Sequence, residues 1–185
     1  MIQYKLLEVL DSYALNELKN EFNNNDIYLF TDNIIGIKYD FSSNSYSDIL
    51  KRIIGINLRQ WTITSTKFLK IIEYAVKNNI FLGSVNFLEF IDDYTIEFIR
   101  DQILSINNTN NIDEKETIMH KLFNYLKWLT LDECIDVKSI LIKYEVDRFP
   151  FNIDVTFFNN GVLYINDETT PAKLKELILK LSIEG

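Results

Sequence analysis

Ile153-Asp154-Val155-Thr156-Phe157-Phe158-Asn159-Asn160-Gly161-Val162-Leu163-Tyr164-Ile165 is the stretch on which the reading of this chain turns. Its first six residues alternate apolar and polar side chains up to Phe158, and its last four favour extended backbone, so both halves predict strands. The residues between them predict a tight connection. A two-residue Asn-Gly turn would set Phe157 opposite Tyr164 and Val155 opposite Asn166, which mixes polar side chains into the buried face. A three-residue loop with Gly161 left-handed pairs Phe157 with Leu163 and Val155 with Ile165, and keeps that face apolar; this is the expected register.

Downstream, Thr170 is a good helix N-cap and Pro171 suits the first helical position, where a missing N–H costs nothing. Leu174, Leu177, Ile178 and Leu181 then fall at the i, i+3, i+4, i+7 spacing of a helix with one buried stripe. Upstream, residues 132–144 and 113–129 predict two further helices, the second burying Ile118, Leu122, Phe123, Leu126 and Leu129. Residues 85–91 and 95–106 predict another pair, with Asp93 as cap of the second. A helix over 66–77 places Phe68, Ile71, Ile72, Ala75 and Val76 on one side and Lys67, Lys70, Tyr74 and Lys77 on another. Near the start, 27–30 and 34–39 predict a hairpin around Thr31-Asp32-Asn33, preceded by a short helix capped by Ser12. Residues 42–47 read as a polar loop. Residues 1–10 fit a strand and a helix equally, since Ile2, Tyr4 and Leu6 alternate while Leu6, Leu7 and Leu10 share a helical side.

The expected fold is therefore α+β, with a mostly helical middle and two antiparallel β-hairpins near the termini, joined into one small sheet. At 185 residues and 47% hydrophobic content the chain suits a single domain spanning 1–185. A single cysteine, Cys134, excludes an internal disulfide and points to a reducing compartment. The first residues lack a signal-peptide pattern and no apolar run approaches roughly 18 residues, so a cytoplasmic protein without a membrane segment is expected.

Net charge is −8, which disfavours nonspecific nucleic-acid binding. Its distribution is uneven. Residues 89–116 sum to −6, whereas residues 51–77 sum to +5. Within the acidic segment, Glu89, Asp92, Asp93, Glu97 and Asp101 form the leading candidate site, a surface for a protein partner with a basic face. Lys67, Lys70, Tyr74 and Lys77 form the alternative, a basic stripe for nucleic acid with Tyr74 as a stacking neighbour.

Catalytic chemistry finds little material. His120 is the only histidine, and Glu116 one turn earlier shares its face, but two groups do not make a metal site. The carboxylates of Asp132, Glu133 and Asp136 near Cys134 oppose thiolate formation. No phosphate-binding glycine motif, nucleophile elbow or His-Glu-x-x-His occurs, so no catalytic residue, metal or cofactor is assigned, and enzymatic activity is not favoured. The expectation is a small acidic protein-binding module of the immunity, antitoxin or inhibitor kind.

Overall fold

A computed structural model describes residues 2–40, 45–145, 152–167 and 172–183. These residues hold eight strands, all paired antiparallel, and six α-helices, so the chain is α+β but does not place a helical middle between two terminal hairpins. It divides into two compact units, residues 1–62 with 160–185, and residues 63–159. The division falls between Asn159 and Asn160, inside the Asn159-Asn160-Gly161 turn.

In the first unit, β1 (Ile2–Val9) is central. It pairs with β3 (Ile34–Tyr39) on one side, Tyr4 opposite Lys38 and Leu6 opposite Gly36. On the other it pairs with β8 (Val162–Ile165) and β4 (Leu58–Gln60). Strand β2 (Ile27–Leu29) completes the expected hairpin with β3, and Thr31 Oγ1 accepts from Ile34 N at 2.9 Å in the turn. Leu6 and Leu7 are both fully buried. A strand covered on both faces loses its alternation, which is why residues 1–10 also fitted a helix. Helices α1 (Ala14–Glu21), α2 (Tyr46–Arg52) and α6 (Ala172–Ile183) belong to the same unit. Asp11, not Ser12, holds the start of α1, its carboxylate accepting from the Tyr13 and Ala14 amides. Part of the expected 42–47 loop is helix, since Ser45 forms a capping box with Asp48. In α6 the predicted stripe of Leu174, Leu177, Ile178 and Leu181 is buried. The proposed cap at Thr170-Pro171 lies outside the described residues, as do residues 42–44 and Phe149-Pro150.

The second unit comprises α3 (Ser65–Lys77), β5 (Phe81–Phe87), α4 (Asp93–Asn108), α5 (Ile112–Leu131), β6 (Val137–Tyr144) and β7 (Ile153–Phe158). Its sheet runs β5, β6, β7, and pairs Val85 with Ile140 and Ile140 with Phe157. Two expected helices are strands here. Val137, Ile140, Leu141 and Tyr144 do follow helical spacing, but this segment is rich in β-branched and aromatic residues, and pairing with β5 and β7 prevails over the periodicity. Residues 81–87 behave alike, and 88–92 is the connection into α4 rather than the end of a helix. Helices α3, α4 and α5 sit within a residue or two of their predicted bounds. Among the described residues, no helix is long and apolar enough to cross a membrane.

Candidate functional site

The acidic segment lies wholly in the second unit, and the structure sorts its five carboxylates into two groups. Asp92, one residue before the expected cap, closes the N-terminus of α4: it accepts from the Thr95 amide at 2.9 Å and from the Thr95 hydroxyl at 2.8 Å. That hydroxyl lies 2.9 Å from the Tyr125 hydroxyl of α5. The two bonds from Thr95 hold the Asp92 carboxyl below its ordinary range. Glu89 accepts from the Asp136 amide at 2.9 Å, tying the 88–92 connection to the start of β6. Both of these carboxylates serve the fold.

Asp93, Glu97 and Asp101 are different. They follow one another at intervals of four along α4, so they share one face. All three are exposed, and none has an ion pair or side-chain hydrogen bond among the described residues. Beside them stand Phe90, 92% exposed, and Tyr94, 75% exposed. Three unpaired carboxylates next to two solvated rings make a surface with charge and apolar area together.

The lysine stripe of α3 is not one exposed surface. Tyr74 is 5% exposed and belongs to the core with Phe68, Ile71 and Ile72, Lys67 and Lys70 are half-buried, and only Lys77 stands in the open. Lys77 bonds to Glu73 Oε1 at 2.5 Å. That bond, then the charge of Glu73, holds its ammonium above the ordinary range. Glu116 and His120 are both exposed on α5. Glu116 borders a hollow with Lys77, Asn79 and Lys115 that His120 does not line, while the His120 ring stacks edge-on to Phe123 at 6.5 Å. No group of three His, Cys, Asp or Glu side chains is placed to hold a metal among the described residues. Cys134 is exposed, in a left-handed turn at φ +55°.

Sequence reasoning missed a cleft in this unit. A cleft of about 760 Å³ opens between β5 and α4, lined by Gly83 to Phe87, by Ile96, Arg100 and Ile103 of α4, and by Ser139 and Leu141 of β6. It went unseen because residues 85–91 read as helix, and a helix has no edge. Arg100, the one base between Glu89 and Asp113, was its only signal. No protein family, no curated protein and no solved structure matches this chain.

Proposed function

We propose that the protein is a protein-binding module that meets a basic partner through the exposed face of α4, with Asp93, Glu97 and Asp101 as its charged contacts and Phe90 and Tyr94 as apolar neighbours. The observation that carries this reading is the sorting of the acidic cluster. Two carboxylates are committed to the fold, and the three that remain have no partner among the described residues and share one helical face. Like charges gathered without partners repel one another, so they add little to stability; they do steer association with an oppositely charged surface and fix its register. Modules of the immunity, antitoxin or inhibitor kind use a surface in this way.

The experiment is a pull-down from the source cell with immobilised protein, at low and high salt, comparing wild type with D93K/E97K/D101K after circular dichroism has shown both to be folded. A basic protein retained in stoichiometric amount, released by salt and lost from the reversed variant, supports the reading. Retention of the same protein by both sinks it. Recovery of nucleic acid in place of protein would move the reading to the lysines of α3.

A further inference from the structure

Among the described residues, strand β5 pairs on one side only, with β6. Its other edge faces α4, which follows β5 in sequence and runs back along it. The geometry fixes that direction: the 88–92 connection joins one end, and at the other Asn107 of α4 meets Leu82 of β5. Seven strand residues at ~3.3 Å and sixteen helix residues at ~1.5 Å give both elements similar lengths, so the helix flanks the whole edge. Asn107 accepts from the Leu82 amide at 3.0 Å and donates to the Leu82 carbonyl at 2.7 Å. Its side-chain amide thus occupies the edge as a partner strand's backbone would, over one residue. Beyond it, the cleft keeps strand and helix apart along Gly83 to Phe87.

A strand edge presents backbone donors and acceptors in a row, and a polypeptide in extended conformation satisfies them best. The cleft's other linings define that polypeptide's side chains. Ile96 and Phe90 offer apolar contact on the α4 side. Arg100 and Lys138 line the same cleft, both exposed, and neither has an ion pair among the described residues. Glu89, the acid in this lining, already accepts from Asp136. Two available cations against one occupied carboxylate favour a ligand carrying negative charge. The neighbouring Asp93, Glu97 and Asp101 set a limit on it, because a strongly anionic segment would be repelled there. Gly83 contributes as well: a Cβ at this position would lie 2.6 Å from Leu141 Cγ, so its absence lets the Leu141 side chain cross β5 into the cleft floor.

We propose that the outer edge of β5 binds an extended segment of a partner polypeptide as an added strand, with one carboxylate of that segment directed to Arg100 and Lys138 and apolar residues on either side of it against α4. A second copy of this chain does not fit that description. Its own β5 edge is flanked by α4 along its length, so two such edges would bring helix against helix before strand met strand. The site shares Phe90 with the acidic face of α4 but makes no contact through its carboxylates, and it stands whether or not that face binds a basic partner.

The test uses the full chain and a displayed library of random nine-residue peptides, the selected sequences being synthesised and their affinities measured. Enriched peptides should carry a single Asp or Glu between β-branched or aromatic residues. Binding should slow amide hydrogen exchange across Gly83 to Phe87, fall at least tenfold in R100E/K138E, and not weaken in D93K/E97K/D101K, which removes only the repulsion of the neighbouring acids. Because a cleft variant can lose its fold, the peptide itself is also altered: backbone N-methylation should abolish binding at alternate residues, those whose N–H faces β5, and be tolerated at the others. Overturning results are the absence of enriched peptides, equal binding by R100E/K138E, tolerance of N-methylation at every position, or a concentration-dependent dimer that protects Gly83 to Phe87 without peptide.

Discussion

Lys5 in the first unit and Asp93, Glu97 and Asp101 in the second carry charge under opposite conditions. Lys5 lies on the central strand between Ile37 and Val162 and is fully buried. Its ammonium donates to the Asn160 carbonyl, lies 5.2 Å from the Tyr46 ring centre, and has no ion pair among the described residues. Burial pushes it down to about 8. Burial also raises the Tyr39 phenol, with help from Tyr164 and Tyr46. The three carboxylates of α4 are exposed and have no partner among the described residues. An ionised group taken into the interior without an opposite charge lowers stability, whereas one left in water barely affects it and remains open to another molecule. Charge should therefore govern stability in the first unit and recognition in the second, and substitutions in both units test that division.

The largest effect is expected where the wall around Lys5 is tightest. Gly161 has φ +75°, and a Cβ there would fall 1.8 Å from the Trp61 carbonyl oxygen and 3.2 Å from Lys5 Nζ. Leu6 N also donates to the Gly161 carbonyl at 2.8 Å, so the turn has little room to withdraw. Gly161→Ala should cost more than about 3 kcal/mol in chemical denaturation, combining backbone strain with a clash. A loss under ~1 kcal/mol would mean that the site around Lys5 is loose, and the contrast between the units would fail.

Lys5 itself comes next. Its proton leaves the folded chain near pH 8 and the unfolded chain near 10.5, so between those values the unfolded state holds more protons and stability rises with pH. Below pH 8 the cost of the buried charge is fully present. Over the whole window the gain approaches about 3 kcal/mol, at ~1.4 kcal/mol for each unit of pKa. Tyr39 acts in the other direction above pH ~10, where the unfolded phenol ionises and the folded one does not, so the rise is best read between pH 8 and 10. Lys5→Met should remove the rise and stabilise the protein at pH 7 by about 1–3 kcal/mol. Denaturant midpoints measured across that range check both. A flat wild-type profile would show that the ammonium reaches water.

Asn107→Ala probes the second unit by a smaller step. It removes the two hydrogen bonds that close the β5 edge at Leu82, and should cost about 1–2 kcal/mol while speeding exchange of the Leu82 amide. An unchanged exchange rate would mean that Asn107 does not shield the edge, and would weaken the case for strand addition beyond it.

How far these features were legible in the sequence depends on whether local or distant contacts decided them. Asn159-Asn160-Gly161 and the helices over 66–77, 95–106 and 113–129 were readable because turn chemistry and periodicity are local properties. Strands β5 and β6 were not. Val137, Ile140, Leu141 and Tyr144 satisfy a helical period, and only the pairing with residues 153–158 and 81–87 makes them a strand. The acidic cluster was visible as composition, but a count of charges cannot tell a carboxylate that caps a helix from one that has no partner. Asp92 and Asp93 are adjacent and chemically identical, and the fold gives them different work. Lys5 drew no attention for a similar reason: a lysine in an apparently alternating strand reads as solvent-facing until strands on both sides and Tyr46 above are known to enclose it.

The smallest expected effect on stability is also the one on which the division between the units rests. Glu97→Lys/Asp101→Lys should leave the thermal midpoint where it is, since both side chains stand in water, one like-charged i,i+4 pair replaces another, and Asp93 gains an opposite charge one turn on. Adding Asp93→Lys should lower the midpoint slightly, because Asp93 lies in the first turn of α4, where a negative charge meets the positive end of the helix dipole. Calorimetry on the double and triple variants separates these two contributions. If the double reversal alone destabilised the protein, Glu97 and Asp101 would be serving the fold as Asp92 and Glu89 do, and the face proposed for a partner would be ordinary scaffold. If the midpoint stays fixed while a salt-sensitive basic partner is lost, the charge on this face acts between molecules and not within the chain.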